Sequence, residues 1–191
     1  MADIIFVNQN DFAGISKALL KSKRYLNNSP FLVALPDLPT ISETPVIRQM
    51  LDVYSSLKDK AHVVSFDKFK ESESRFYGEC LIKLEKNNLL KIAHFCPTNQ
   101  HSKKPHHKNN HTRMSGRFIF TPEIFPVIRN LLAHKTEGVE INDRSALGEA
   151  QKLGQSVIGY KIKGKTYDTG YPKGFRLAYN AFYDEFENKS R

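Results

Sequence analysis

Five consecutive apolar residues, Phe31-Leu32-Val33-Ala34-Leu35, stand between the turn formers Asn27-Asn28-Ser29-Pro30 and Pro36-Asp37. A run this short, closed at both ends, reads as a central strand covered on both faces. Ala61-His62-Val63-Val64-Ser65-Phe66 and the segment around Val157 to Ile162 repeat that character, and the opening Ile4-Ile5-Phe6-Val7 reads as a further short buried strand. Between these runs the apolar spacing changes to three and four. Asp11 caps a helix bearing Phe12, Ile15, Ala18 and Leu19, and Pro45 opens one lined by Val46, Met50, Leu51 and Tyr54. Tyr77 to Leu84 and Leu89 to Phe95, joined through Lys86-Asn87-Asn88, have the pattern of a hairpin. Arg117-Phe118-Ile119-Phe120 is a strand, and Thr121-Pro122-Glu123 then starts a helix with Ile124, Phe125, Ile128, Leu131 and Leu132 on one face. Helices from about Arg144 and from Phe175 to Phe186 complete the order. Strands alternating with helices predict an α/β sandwich around a mostly parallel mixed sheet. At 191 residues, with neither repeat nor linker, the chain is expected to form a single domain with a proper core.

Composition narrows the setting. No run approaches the roughly 20 apolar residues of a membrane-spanning helix, and the first residues turn polar too quickly for a signal peptide. Cys80 and Cys96 are too few for a disulfide scaffold or a four-cysteine zinc site, so reduced thiols in the cytoplasm are the expectation. The net charge of +9 is uneven: no Asp or Glu occurs from Lys86 to Pro122. Within that stretch, residues 98–112 form a basic loop rich in His and Lys. It is a solvated surface loop, a grip for phosphates, or a metal site through His101, His106, His107 and His111. It has no aromatic residue to stack on bases, which argues against a nucleic-acid partner.

Ligands of open α/β sheets gather at the carboxyl ends of strands. Asp37 directly follows the run Phe31 to Leu35. Asp168 lies in Gly164-Lys165-Thr166-Tyr167-Asp168-Thr169-Gly170, just past the last strand. Two carboxylates so placed suit Mg²⁺ that also holds substrate phosphates, although an Asp after a strand is commonly a turn residue. No two of the ten glycines stand two apart, so a Gly-x-Gly phosphate loop is absent from these residues.

Five segments together resemble a known family. Phe6-Val7-Asn8-Gln9-Asn10-Asp11-Phe12-Ala13-Gly14 is similar to its Phe-Val-Arg-Gln…Leu-Gly, and Phe31 to Asp37 to its strand ending in Leu-Pro-Asp. Ser74-Arg75-Phe76-Tyr77-Gly78 is similar to Ser-Arg-Tyr-Gly. Gly116 to Phe125 is similar to Gly-Arg-Tyr-Ile-Leu-Thr-Pro-Glu-Ile-Phe, and Gly164 to Gly170 to Gly-Lys-x-x-Asp-x-Gly. The chain thereby resembles the bacterial UTP–glucose-1-phosphate uridylyltransferases, within the sugar-1-phosphate nucleotidyltransferases. The resemblance implies a Rossmann-like nucleotidyltransferase sandwich and the reaction of glucose 1-phosphate with UTP to give UDP-glucose and pyrophosphate. It implies that Gln9 and Gly14 contact the uracil, and that Asp37 and Asp168 hold Mg²⁺. Gly78, Glu140 and Lys165 would serve the sugar and its phosphate.

The departures from the pattern are as informative. The family's opening segment, with its Gly-x-Gly-Thr-Arg loop, has no counterpart here, and Phe95-Cys96-Pro97 replaces its Glu-Lys-Pro. Neither Phe nor Cys can bind sugar hydroxyls or a phosphate as Glu and Lys do. Loss of one charge clamp on a transferring phosphoryl group costs about 10²–10³ in rate. An N-terminally truncated domain without independent turnover is therefore expected. Lacking the first strand, it should expose a sheet edge and pair as a homo-oligomer, with a complementing N-terminal half or with a full-length homologue. The alternative is a non-catalytic regulatory or interaction module that binds a full-length homologue or an anionic partner.

Overall fold

The computed structural model describes residues 3–10, 14–68, 80–95, 112–135 and 140–189. Among these residues, eight strands and five α-helices run in the order α1 (Gly14–Ser22), β1 (Phe31–Ala34), β2 (Thr40–Ile41), α2 (Val46–Ser56), β3 (His62–Lys68), β4 (Cys80–Lys86), β5 (Leu89–Phe95) and β6 (Thr112–Phe120). They continue through α3 (Ile124–Ala133), α4 (Asp143–Lys152), β7 (Val157–Lys161), β8 (Lys165–Thr166) and α5 (Pro172–Lys189). Six strands form one sheet in the order β1-β6-β3-β7-β5-β4, and β2 pairs with β8 in a small second sheet.

Period-two alternation along the strands builds a three-layer sandwich. Val64 and Phe66 of β3 and Phe118 and Phe120 of β6 face Leu19 of α1, Ile124, Phe125 and Ile128 of α3, and Leu147 of α4. The intervening Val63 and Ile119 face the other way, onto Val46 and Met50 of α2, with Tyr160 and Ile162. Each strand therefore contributes to two cores. The helices begin where local chemistry favours them. Pro45 precedes α2, and the Asn142 side chain accepts a hydrogen bond from the Ser145 N–H (3.0 Å) at the start of α4. The β4–β5 hairpin turns on Asn87 and Asn88, both at positive φ (52° and 63°), a conformation that Asn tolerates better than most residues.

Three expectations are corrected. The α/β sandwich holds, but the sheet is mostly antiparallel: only β3 and β7 run parallel, whereas β1–β6, β3–β6, β4–β5 and β5–β7 are antiparallel. No helix is described between β3 and β6, and a parallel return needs a crossover. Second, β1 is not central. It pairs only with β6 among the described residues and forms one edge of the sheet. Continuous apolar sequence reports that two faces are covered, not that two edges are paired. Third, Ile4-Ile5-Phe6-Val7 is not a strand, and Ile4, Ile5 and Phe6 are exposed. An apolar run becomes a strand only where another backbone satisfies its N–H and C=O groups, and none of the described residues does so. Asp11, Phe12, Cys96 and nearly all of the basic loop lie outside the described residues.

His62, at the start of β3, ties the sheet to the loops before α3 and after α4. Its Nδ1 accepts the Thr121 N–H (3.1 Å), so Nε2 carries the proton and donates to Gln155 Oε1 (2.9 Å). Burial holds the imidazole below its ordinary pKa, which keeps it neutral. A base whose folded pKa is depressed contributes stability that is intact above the unfolded value near 6.5 and declines as pH falls toward the folded one. Denaturation midpoints measured between pH 8 and pH 5 should fall on acidification, and the slope should be shallower in His62→Gln.

Candidate functional site

The loops beyond β1 and β8 are joined by their backbones. Thr40 and Ile41 pair with Thr166 and Lys165, and the hydroxyls of Thr40 and Thr166 lie 3.0 Å apart. The ladder continues past both strands: the Tyr167 N–H donates to Pro39 O (2.9 Å) and the Thr169 N–H to Asp37 O (2.8 Å). The Thr169 hydroxyl adds a second bond to the same carbonyl at 3.0 Å. Asp37 and Asp168, far apart in sequence, are thus carried to one place. Gly170 lies between them, its N–H donating to Asp168 Oδ1 at 2.9 Å. A Cβ at Gly170 would lie 3.1 Å from Asp168 Oδ1 and 3.8 Å from Asp37 Oδ2. Both carboxylates therefore border the space that this glycine leaves open. Two carboxylates bordering one open space are oxygen donors that would suit a hard divalent cation.

Buried charge fixes this pair of loops to the main sheet. Asp67 of β3 and Arg113 of β6 are register partners, both buried. Asp67 Oδ2 accepts the Thr166 N–H (2.8 Å), and Arg113 Nη2 donates to Thr166 O (2.8 Å). Burial raises the Asp67 pKa, while the Thr166 and Lys68 N–H groups and the Arg113 charge oppose the rise. The pair grips β8 two residues before Asp168. Lys165, exposed, lays its ammonium over the Tyr167 ring, 5.0 Å from the centroid.

Arg117 is a further cation here. It donates to Leu38 O and to Ser115 O (2.8 Å). Burial lowers its pKa, and the nearby negative charge of Asp37 pulls it back up. Neither Arg117 nor the Asp67–Arg113 pair stands out as a site residue by spacing. The available signal was a charged residue set within a strand that is largely buried.

Gln9, Gly14 and Glu140 form a second group. Gln9 Nε2 donates to Gly14 O (3.2 Å), and Lys21 Nζ donates to Asn8 O (3.1 Å), which ties the N-terminal segment to α1. The Glu140 side chain packs on Gly14, at φ +77°, so closely that a Cβ there would collide with its carboxylate. Gly78 lies outside the described residues. Phe95, which the motif resemblance sets against a family Glu, is buried in the core shared with α4.

No family model matches the chain. It is 28% identical over 176 residues to the UTP–glucose-1-phosphate uridylyltransferase of Staphylococcus epidermidis, covering 92% of this chain and 58% of that protein. It is 27% identical over 175 residues to the enzyme of that name from Bacillus subtilis, covering 92% and 57%. The chain therefore spans little more than half the length of these relatives. Among solved structures it is similar to an apo UDP-glucose pyrophosphorylase, with TM-score 0.78 and 27% identity over 93% of this chain and 62% of that one. A UDP-glucose pyrophosphorylase complexed with UDP-glucose gives TM-score 0.77 and 26% identity, over 93% and 64%. The resemblance read from the sequence motifs is borne out by both comparisons.

Gly14→Ala should strain the backbone and displace Glu140 at once. We expect a loss of about 1–3 kcal/mol in chemical denaturation. Glu140→Ala in the same background should recover the part due to the collision.

Proposed function

We propose that these residues form the sugar-nucleotide half of a uridylyltransferase site: they bind UDP-glucose or UTP with Mg²⁺ and do not complete the transfer unaided. The observation that carries this reading is the convergence of Asp37 and Asp168 over Gly170, at positions that the family resemblance assigns to Mg²⁺. The similarity to a UDP-glucose complex supports the choice of nucleotide sugar.

In this reading Asp37 and Asp168 hold Mg²⁺, whose charge neutralises that of the bound phosphates. Thr169 keeps Asp37 in place through its two bonds to the Asp37 carbonyl. Lys165, exposed beside the Tyr167 ring, brings a cation to the sugar phosphate. Gln9 and Gly14 offer an amide and backbone groups to the uracil edge, and Glu140 accepts from sugar hydroxyls. The complete reaction is attack of a glucose 1-phosphate oxygen on the α-phosphorus of UTP, with pyrophosphate leaving. It depends on positioning and on charge clamps. Within these 191 residues no Gly-x-Gly loop cradles a triphosphate, and Phe95 is turned into the core where a Glu would meet the sugar. Binding without turnover is what the remaining groups support. A complementing N-terminal half, or a full-length homologue, is the partner that would restore the reaction.

Calorimetric titration with UDP-glucose and with UTP, in Mg²⁺ and in EDTA, tests the proposal. Binding should require Mg²⁺ and weaken roughly tenfold or more in Asp37→Asn and in Asp168→Asn. No pyrophosphate should appear from UTP and glucose 1-phosphate. A folded chain that binds neither nucleotide would retire the proposal in favour of a non-catalytic interaction module.

A further inference from the structure

Strands β3 and β6 are unevenly paired. Val64 lies opposite Phe118 and Phe66 opposite Met114, so Ser65 faces Ser115, Gly116 and Arg117 together. Ser65 and Ser115 are fully buried, and the Ser115 hydroxyl donates to Ser65 Oγ at 2.7 Å. Ser65 Oγ also accepts the Arg117 N–H (3.1 Å) and donates to Arg117 O (2.9 Å). A side chain thus serves the backbone groups that the interrupted ladder leaves over, and the bulge costs no unpaired polar atom at Arg117. A bulge of this kind re-aims the side chain it carries.

The loop after β1 rests on this bulge. The Leu35 N–H donates to Gly116 O (2.8 Å). Gly116, at φ +71°, leaves no room for a side chain: a Cβ would lie 2.5 Å from Leu38 Cδ1 and 3.2 Å from Leu35 Cβ. Arg117, half-buried, spends Nη1 on two carbonyls, those of Leu38 and Ser115. Both acceptors are backbone, so the guanidinium fixes the course of the loop. Asp37 is therefore held at consecutive peptides: Thr169 grips its own carbonyl from the β8 side, and Arg117 grips the next carbonyl from the sheet. We propose that Arg117 is a positioning residue of the cation site, setting through the Leu38 carbonyl where the Asp37 carboxylate stands relative to Asp168. The inference rests on the sugar-nucleotide reading above, in which Asp37 and Asp168 hold Mg²⁺ together. A Lys ammonium has donors enough for both carbonyls, whereas a Met side chain has none.

Arg117→Met and Arg117→Lys, made in the full chain, test this with two readouts. The first is amide hydrogen exchange and needs no ligand. In Arg117→Met the N–H groups of Tyr167 and Thr169, which bond Pro39 O and Asp37 O, should exchange about tenfold faster, with the amides of β3 and β7 unchanged. Arg117→Lys should recover most of the protection. The second is Mn²⁺ binding with UDP-glucose present, followed by electron paramagnetic resonance: about tenfold weaker in Arg117→Met and largely restored in Arg117→Lys. Arg117→Gln, too short to reach Leu38 but still polar, gives the same two readings should Arg117→Met not fold. Exchange at Thr169 that stays as in the wild type, or that rises equally across the sheet, overturns the proposal. So does Mn²⁺ binding indifferent to the loss of Arg117. A wild type that binds no Mn²⁺ retires the sugar-nucleotide reading and the cation role of Arg117 with it, while the exchange rates still decide whether Arg117 holds the loop.

Discussion

The buried charges of Asp67 and Arg113, register partners under strand β8, underlie the candidate site. Thr166 is held at both backbone groups, its N–H by the carboxylate and its C=O by the guanidinium. Burying two charges is costly, and the cost is offset here because each meets both the other charge and a backbone dipole. Removing one partner would leave an isolated buried charge and release a two-residue strand too short to hold itself. From Thr166 the order passes outward, through the β2–β8 ladder to Tyr167 and Thr169, and so to the meeting of Asp37 and Asp168. The site is therefore a property of the central strands β3 and β6, although its carboxylates stand on loops.

This dependence shows which parts of the molecule could be read from sequence. The hairpin at Asn87-Asn88, the helix after Pro45, the helix after Glu123 and the strand at Val157 are local features, each set by spacing and turn chemistry within a few residues. All are found where the pattern predicts them. The direction of the sheet, the edge position of β1 and the exposure of Ile4 to Phe6 are not local. They depend on which distant backbone lies alongside, and apolar periodicity does not report that. For the same reason Asp37 and Asp168 were legible as carboxylates after strands, but their convergence was not. It rests on β2 and β8, of two residues each, too short to leave a periodic signature.

Two features of the chain bear on the motif resemblance in opposite senses. Phe95 takes a place assigned to a ligand-binding Glu and uses it for packing, which gives up chemistry and gains core. Asp37, Asp168, Lys165 and Glu140, which the motif resemblance assigns to ligand binding, lie at or near the surface.

The claim that these groups form one cation site has a direct measurement. Mn²⁺, as a paramagnetic substitute for Mg²⁺, can be titrated by electron paramagnetic resonance with UDP-glucose present, in a double-mutant cycle of Asp37→Asn and Asp168→Asn. If both carboxylates hold one ion, either substitution removes most of the binding and the double variant loses little more. Binding that survives both substitutions, or losses that simply add, would contradict a shared site.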